Sequence, residues 1–267
     1  METSFATAAD GTRVCWTSQG SGEAVLLAMG ATLTKEYWFR VAPVLAQRYR
    51  VLTFDNRGVG ETVWDKSQFT MQTLAADAVS VLDAAGVKRA HVYGVSLGGG
   101  TAQEIALSYP ERVISLILGC TKSKDEVTAP TKVRPLMRFI PIWLLARFVG
   151  SSLYAPGVDR QKLREDRKVL AGMRITWEGL QAQSAAVAAY TSTDRVGLIK
   201  VPTLVLHGTA DKAVPYEDGV RLAAMIPGAR LVTLEGAGHG YTTDATEEAN
   251  QAVLDFLANV PGDRPTS

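Results

Sequence analysis

The sequence predicts an α/β fold with a doubly wound, mostly parallel sheet, helices on both faces and a helical cap insertion. Short apolar runs alternate with helical stretches over residues 24–118 and again over 203–259, a rhythm typical of parallel strands joined by helices. The region between them contains no convincing strand. We therefore expect a core formed by residues 1–121 and 196–267 and a cap formed by residues 122–195.

The strands are predicted from apolar runs bounded by turn residues. Residues 2–8 and 12–18 predict a hairpin because Asp10-Gly11 is a strong turn signal. The continuous apolar run 24–28 predicts a strand that is buried on both faces. Runs of the same kind predict the remaining strands at 50–54, 90–95, 113–118, 203–207 and 230–234.

The helices are predicted from the 3.6-residue spacing of apolar side chains. In 71–86, Leu74, Val81 and Leu82 fall on the core side, and Gly86 is expected to end the helix. In the cap, an apolar run over 139–149 precedes two helical stretches. The other predicted helices cover 35–48, 101–108, 158–171, 176–190, 216–226 and 244–259.

Composition and charge narrow the classes of partner. The chain has 267 residues, 46% apolar and 21% charged, and 28 basic against 27 acidic side chains give a net charge of +1. This balance favours neither nucleic acid nor an anionic membrane, so we expect a small-molecule substrate and leave the oligomeric state open. No secretory signal or membrane-spanning run is visible, which predicts a cytoplasmic protein. Cys15 and Cys120 fit no metal-ligand spacing, so no metal site is predicted.

The first candidate catalytic residue is Ser96, in the sequence Gly94-Val95-Ser96-Leu97-Gly98. This G-x-S-x-G pattern lies between a predicted strand and a predicted helix, the context in which it exposes a nucleophilic serine. The turn is sharp, so its flanking positions need glycine to avoid collision with the strand and the helix. A Gly/Ser-rich turn without chemistry is the alternative interpretation of the pentapeptide alone.

A serine nucleophile needs a base within hydrogen-bond reach, and the chain has three histidines. His91 begins the central strand and is expected to be structural. His207 ends a strand and is expected to shape the rim of the site. His239 follows the last predicted strand between glycines, which lets it reach across the carboxyl edge of the sheet. His239 is therefore the predicted base.

The remaining members of the site are predicted from chain order and from the loop after the strand 24–28. Asp211 follows the strand that precedes His239, and the order Ser96, Asp211, His239 is the order expected for this motif. Asp211 as an ordinary turn aspartate is the alternative. The backbone N–H groups of Leu97 and Ala31 are the predicted donors to the oxyanion.

With these motifs, the chain resembles the α/β-hydrolase superfamily over nearly its whole length. The resemblance implies the α/β-hydrolase fold, with eight strands and a helical cap after the sixth, and it places Ala31 and Leu97 in the oxyanion hole. Many relatives have His-Gly where this chain has Met29-Gly30, a departure shared with some small methylesterase-like members. Carbon–carbon bond hydrolases of the superfamily often carry Asn where Val95 precedes the serine.

These features predict a serine hydrolase that cleaves a carboxylic ester or lactone of a small, largely apolar substrate through an acyl-enzyme, without a metal or organic cofactor. The alternatives are a carbon–carbon bond hydrolase, a lyase or a perhydrolase with the same triad, and a ligand receptor on a hydrolase scaffold. Four cap side chains are expected to line an apolar substrate pocket, although for at least half of them packing against the core is favoured: Trp143, Leu144, Phe148 and Trp177.

Overall fold

The computed structural model describes residues 2–129 and 153–260 of the chain. Within them, eight strands form one sheet in the spatial order β1-β2-β4-β3-β5-β6-β7-β8. The strands are β1 (Thr3–Thr7), β2 (Arg13–Gln19), β3 (Ala24–Ala28), β4 (Arg50–Phe54), β5 (Ala90–Val95), β6 (Val113–Gly119), β7 (Thr203–Gly208) and β8 (Arg230–Leu234). All eight were predicted, and the predicted bounds differ from these by no more than one residue at either end.

The sheet is parallel except at one edge. Strand β2 pairs antiparallel with both β1 and β4, whereas β4, β3 and β5 to β8 run parallel to one another. The chain leaves β3 for β4 on one side and later returns to place β5 on the other side. The loops after β3 and β5 therefore diverge at the carboxyl edge of the sheet. Crevices that bind ligands form at such switch points.

Helices cover both faces of the sheet, as predicted. They are α1 (Ala42–Leu45), α2 (Met71–Ala84), α3 (Leu97–Ser108), α4 (Arg160–Gly172), α5 (Trp177–Ala189), α6 (Tyr216–Met225), α7 (Tyr241–Asp244) and α8 (Thr246–Asn259). Apolar side chains of α2, α3 and α6 pack on one face, and those of α1 and α8 pack on the other. Neighbouring residues of one strand face opposite layers, as Leu26 and Leu27 do, which explains why the central strands are apolar throughout.

Helix α3 begins at Leu97, four residues before the predicted stretch 101–108, and two other predicted helices are divided in the structure. The stretch 35–48 is a 3-10 turn (Lys35–Arg40) followed by the short helix α1. Asp55 holds the start of this stretch because it accepts hydrogen bonds from both the backbone N–H and the ammonium of Lys35. Pro43 lies in the first turn of α1, where its lack of an N–H is tolerated but prevents a longer continuous helix. The stretch 244–259 is divided into α7 and α8.

The segment between β6 and β7 is described over residues 122–129 and 153–202. It contains α4 and α5, close to the predicted helices 158–171 and 176–190, and within the described part its only β pairing is a single bridge between Ile175 and Val59. The division into core and cap remains a prediction. The apolar run 139–149 lies outside the described residues. No helix within the described ranges is long and apolar enough to cross a membrane.

Candidate active site

Ser96 lies at the junction of β5 and α3 in a strained backbone conformation. Its φ of 56° and ψ of −118° place it at positive φ, which residues other than glycine rarely adopt. The backbone N–H of Ser96 donates to the carbonyl of Gly119, and its own carbonyl accepts from the Thr121 hydroxyl at 2.9 Å. Neighbouring strand β6 therefore holds the strained turn from the side. Strain that is fixed in this way is typical of functional residues.

The glycines of the turn are required by close approach of the backbone. A Cβ on Gly94 would collide with the carbonyl of Gly98, and a Cβ on Gly98 would collide with the carbonyl of Ala28 at the end of β3. The helix that starts after Ser96 therefore lies directly against both β5 and β3. This packing brings the turn to the loop that follows β3.

Two backbone donors face the region of Ser96 without a protein acceptor. Among the described residues, neither the N–H of Leu97 nor the N–H of Ala31 makes a hydrogen bond, and both residues line one cavity with Ser96. Leu97 is the first residue of α3, where the N–H has no partner within the helix. The Asn56 side-chain amide donates to the carbonyl of Met29 at 3.0 Å and so anchors the loop that carries Ala31.

Asp211 and His239 are joined by a hydrogen bond. The distance between Asp211 Oδ2 and His239 Nδ1 is 2.8 Å. The other carboxylate oxygen, Oδ1, accepts the backbone N–H groups of Ala213 and Val214 at 2.8 and 2.9 Å. The loop after β7 therefore fixes the carboxylate, and the carboxylate fixes the imidazole.

The electrostatics of this pair select one tautomer of His239. Burial alone would raise the pKa of Asp211, but the nearby His207 ring, the hydrogen bond from His239, the positive charge that His239 can carry and the N–H of Val214 outweigh it and hold that pKa well below its usual range. An ionised carboxylate only accepts hydrogen bonds. The proton of neutral His239 is therefore on Nδ1, which leaves Nε2 as the ring nitrogen able to act as a base.

Ser96 and His239 line the same cavity on one side of the site. The cavity measures about 320 Å³ and includes Gly30, Trp38 and Leu153 in its wall. Within the described residues no hydrogen bond joins the Ser96 hydroxyl to His239. Such contacts are often long before a substrate binds. The structure thus brings the three predicted side chains to one carboxyl edge and joins two of them directly.

The other two histidines occupy structural positions. His207 is fully buried behind Asp211, where its Nε2 lies 2.9 Å from the carbonyl of Val214 and 3.4 Å from Asp211 Oδ2. His91 is also fully buried, and its Nδ1 lies 2.7 Å from the hydroxyl of Ser115. Neither ring lines a cavity described at Ser96.

A second cavity of about 390 Å³ opens on the other side of Ser96. Ser96, Ala31 and Leu180 line both cavities, so Ser96 lies between the two cavities. The second cavity contains the two predicted oxyanion donors but not His239. It is mostly apolar in character, with two cationic side chains, Lys122 and Lys124, in its wall.

The predicted pocket residues are only partly described. Trp177 is the first residue of α5 and is partly buried, and it does not belong to the described lining of either cavity at Ser96. The structure therefore does not place Trp177 where it was expected. The other three, Trp143, Leu144 and Phe148, lie outside the described residues. Other residues of the predicted cap segment line the cavities, among them Leu153, Tyr154, Leu180 and Gln183.

One group of metal-capable side chains occurs within the described residues. Donor atoms of Cys120, His207 and Asp211 all lie within 4.8 Å of one another, and all three residues are buried. Burial, followed by the charge of Asp211, raises the pKa of the Cys120 thiol well above its usual value. Asp211 Oδ2, the carboxylate oxygen nearest His207, already accepts a hydrogen bond from His239.

Sequence reasoning missed the contacts that hold the site from a distance. The Gln183 side chain forms hydrogen bonds with the backbone of Thr32 and of Arg57, which lie in two different loops. Asp244 Oδ2 accepts the N–H groups of Gly238 and of Ala155, which lies in the predicted cap segment, each at 2.8 Å. No local pattern marks either residue, because their partners are distant in the chain or are backbone groups.

Comparisons with known proteins agree with this architecture. A profile of the alpha/beta hydrolase family matches residues 24–255. A 2-hydroxy-6-oxo-6-phenylhexa-2,4-dienoate hydrolase from Comamonas testosteroni is 29% identical, over 89% of this chain and 88% of that protein. The structure of an enol-lactonase from Burkholderia xenovorans LB400 has a TM-score of 0.86 at 25% identity, covering 96% of this chain and all of that one. A hydrolase from Pseudomonas aeruginosa PA01 has a TM-score of 0.82 at 28% identity, covering 96% and 98%. The chain belongs to the alpha/beta hydrolase family.

Proposed function

We propose that this hydrolase cleaves a carboxylic ester or lactone of a small, largely apolar substrate through an acyl-enzyme on Ser96. The observation that carries the proposal is the 2.8 Å hydrogen bond from His239 Nδ1 to Asp211. The same His239 lines one cavity together with Ser96, whose backbone is strained. A buried carboxylate, an imidazole with a free Nε2 and a serine hydroxyl that faces a cavity are the parts that acyl transfer to serine requires.

The reaction divides into two half-reactions. In the first, His239 Nε2 removes the Ser96 proton as Oγ attacks the carbonyl carbon, and the N–H groups of Ala31 and Leu97 bind the oxyanion that forms. Protonated His239 then gives this proton to the departing alkoxide, which leaves the acyl group on Oγ. In the second, His239 removes a proton from water, the hydroxide attacks the acyl carbon, and Ser96 recovers its proton as the acid leaves.

A test on activated esters decides the role of Ser96. Ser96→Ala is expected to lower the hydrolysis of p-nitrophenyl acetate or butyrate by about 10³-fold or more. Ser21→Ala, on the exposed loop before β3, is the matched control and should retain wild-type rates. Turnover that survives Ser96→Ala would remove this serine from the proposal. A panel of esters and lactones of graded chain length would then rank substrate classes.

A second candidate reaction is hydrolysis of a carbon–carbon bond with the same three residues. The observation that favours it is the Comamonas testosteroni relative, whose name specifies 2-hydroxy-6-oxo-6-phenylhexa-2,4-dienoate as substrate. Val95 before the serine, where such enzymes often carry Asn, counts against it. The value of kcat/KM for this dienoate, measured beside that for p-nitrophenyl butyrate, distinguishes the two reactions. A higher kcat/KM for the dienoate would contradict the ester proposal and support carbon–carbon bond hydrolysis.

A further inference from the structure

The loop that carries the Ala31 donor contains an unfavourable backbone conformation. Residues Gly30 to Leu33 form a turn closed by the Leu33 N–H and the Gly30 carbonyl at 3.4 Å, a long hydrogen bond. Thr32, the third residue of this turn, has a φ of 64°. Turns of this kind normally use Gly or Asn at that position, and a β-branched residue at positive φ is an outlier. The turn therefore needs support from outside itself.

Gln183 on α5 supplies that support. Its side chain is fully buried, and its Oε1 accepts the backbone N–H of Thr32 at 2.7 Å. On the other side of the same peptide plane, the Thr32 hydroxyl donates to the carbonyl of Ala31 at 2.6 Å. The peptide between Ala31 and Thr32 is thus held by one hydrogen bond on each side.

The other end of the Gln183 amide is attached to a rigid part of the core. Its Nε2 donates to the carbonyl of Arg57 at 2.8 Å. The Arg57 guanidinium is buried and forms ion pairs with Asp77 and Asp10. It therefore stabilises the loop in which it lies and lines neither cavity. Helix α5 also touches this loop closely, because a Cβ on Gly179 would collide with the backbone of Gly58. Gln183 therefore connects the turn to a fixed point.

We infer that Gln183 is a positioning residue for the oxyanion donor of Ala31, because it holds the Ala31–Thr32 peptide, which adjoins the Gly30–Ala31 peptide that carries this N–H. This inference rests on the proposed function, since it assigns a task within the proposed acyl transfer. The Thr32 N–H is bound to Gln183 and the Leu33 N–H to the Gly30 carbonyl, whereas the Ala31 N–H has no acceptor among the described residues and is available to the oxyanion. A donor that is misplaced by about 1 Å loses most of its effect on the transition state.

Gln183→Met tests this role, because methionine fills a similar volume without either hydrogen bond. Gln181→Met is the matched control, on the same helix with an exposed side chain. With an ester substrate, Gln183→Met should lower kcat about 10- to 100-fold and change KM by less than about threefold. Gln181→Met should stay within about twofold of wild type in both constants. Thermal unfolding confirms that each variant is folded.

Gln183→Glu provides a second test with a readout that a purely structural role would not produce. A neutral carboxylic acid can accept from Thr32 and donate to the Arg57 carbonyl, whereas a carboxylate cannot donate. The rate of Gln183→Glu divided by the wild-type rate at the same pH should therefore rise as the pH falls. A ratio that is flat with pH would contradict the inference, as would a folded Gln183→Met with the wild-type kcat.

A fluorophosphonate probe separates this inference from the proposed function. The probe reacts with an activated serine whatever the natural substrate is, and peptide mass spectrometry identifies the labelled residue. Wild-type labelling at Ser96 with 10- to 100-fold slower labelling of Gln183→Met supports both. Equal rates at Ser96 in the two proteins overturn the role of Gln183 alone. A wild-type protein that is not labelled at Ser96 overturns the proposed function, and the positioning role with it.

Discussion

The carboxylate of Asp211 meets two histidines at one oxygen, with His239 Nδ1 at 2.8 Å and His207 Nε2 at 3.4 Å from Oδ2. His207 approaches from the buried side and His239 from the cavity side. With both N–H groups of Ala213 and Val214 on Oδ1, the carboxylate is held firmly in its ionised form. The negative charge of Asp211, which would stabilise a protonated His239, is therefore already present and fixed in position before any reaction.

Asp211→Asn should nearly abolish turnover. An amide in place of the carboxylate lacks the negative charge that stabilises protonated His239, and it no longer selects the Nδ1–H tautomer. We expect kcat to fall about 10³- to 10⁴-fold, with a smaller change in KM. Asp255→Asn, on the exposed face of α8, is the control. If kcat for Asp211→Asn stayed within tenfold of wild type, a different carboxylate would have to serve His239.

The same carboxylate should make stability depend on pH. The pKa of Asp211 is lower in the folded protein than its ordinary value of about 3.9, so the unfolded chain takes up the proton first as the pH falls. The stability that Asp211 contributes is complete above about pH 5 and declines as the pH falls toward its folded pKa. Urea unfolding at pH 7 and at pH 3 should show the advantage of wild type over Asp211→Asn shrinking at the lower pH. An equal difference at both values would contradict this coupling.

Gly98→Ala should damage both stability and activity. The new methyl group would meet the Ala28 and Met29 carbonyls, which are backbone and cannot move aside cheaply. We expect a loss of about 1–3 kcal/mol in the free energy of unfolding, together with displacement of the loop that carries Ala31. Gly172→Ala is the matched control because the space around it is open. Equal stability of the two variants in urea unfolding would show that α3 does not press against β3.

Asp244→Ala should weaken the placement of His239. The Asp244 carboxylate joins Gly238, next to the histidine, to Ala155 in the predicted cap segment. Without it two backbone N–H groups lose their acceptor, and we expect kcat to fall about 10-fold. Asp244→Asn retains one acceptor oxygen and should recover most of the rate. If Asp244→Ala and wild type had the same kcat, the histidine loop would not depend on this bond.

Local patterns predicted the parts of the site that depend on local structure. The Ser96 turn was predicted because its glycines are demanded by contacts within one strand-turn-helix unit, and the structure shows those contacts. Asp211 and His239 were predicted from chain order, since parallel strands deliver the residues after them to one edge. The eight strands followed from continuous apolar runs for the same reason.

Contacts between distant segments were not predictable in this way. Gln183 lies 151 residues from Thr32, and one glutamine on an otherwise small-residue helix face carries no signal of its partner. The start of the predicted helix 35–48 is held by the buried pair of Lys35 and Asp55, which periodicity does not report. Both features arise from tertiary packing, where a side chain's role depends on what the rest of the fold places beside it.

Trapping the acyl-enzyme tests the proposed chemistry most directly. Wild-type protein mixed with p-nitrophenyl butyrate and quenched in acid within milliseconds should carry one butyryl group, and peptide mass spectrometry should locate it on Ser96. In His239→Ala, the same experiment should yield far less adduct because no base activates the hydroxyl. Burst release of nitrophenol with unmodified Ser96, or a butyryl group on another residue that turns over at the steady-state rate, would contradict the assignment of Ser96 as nucleophile.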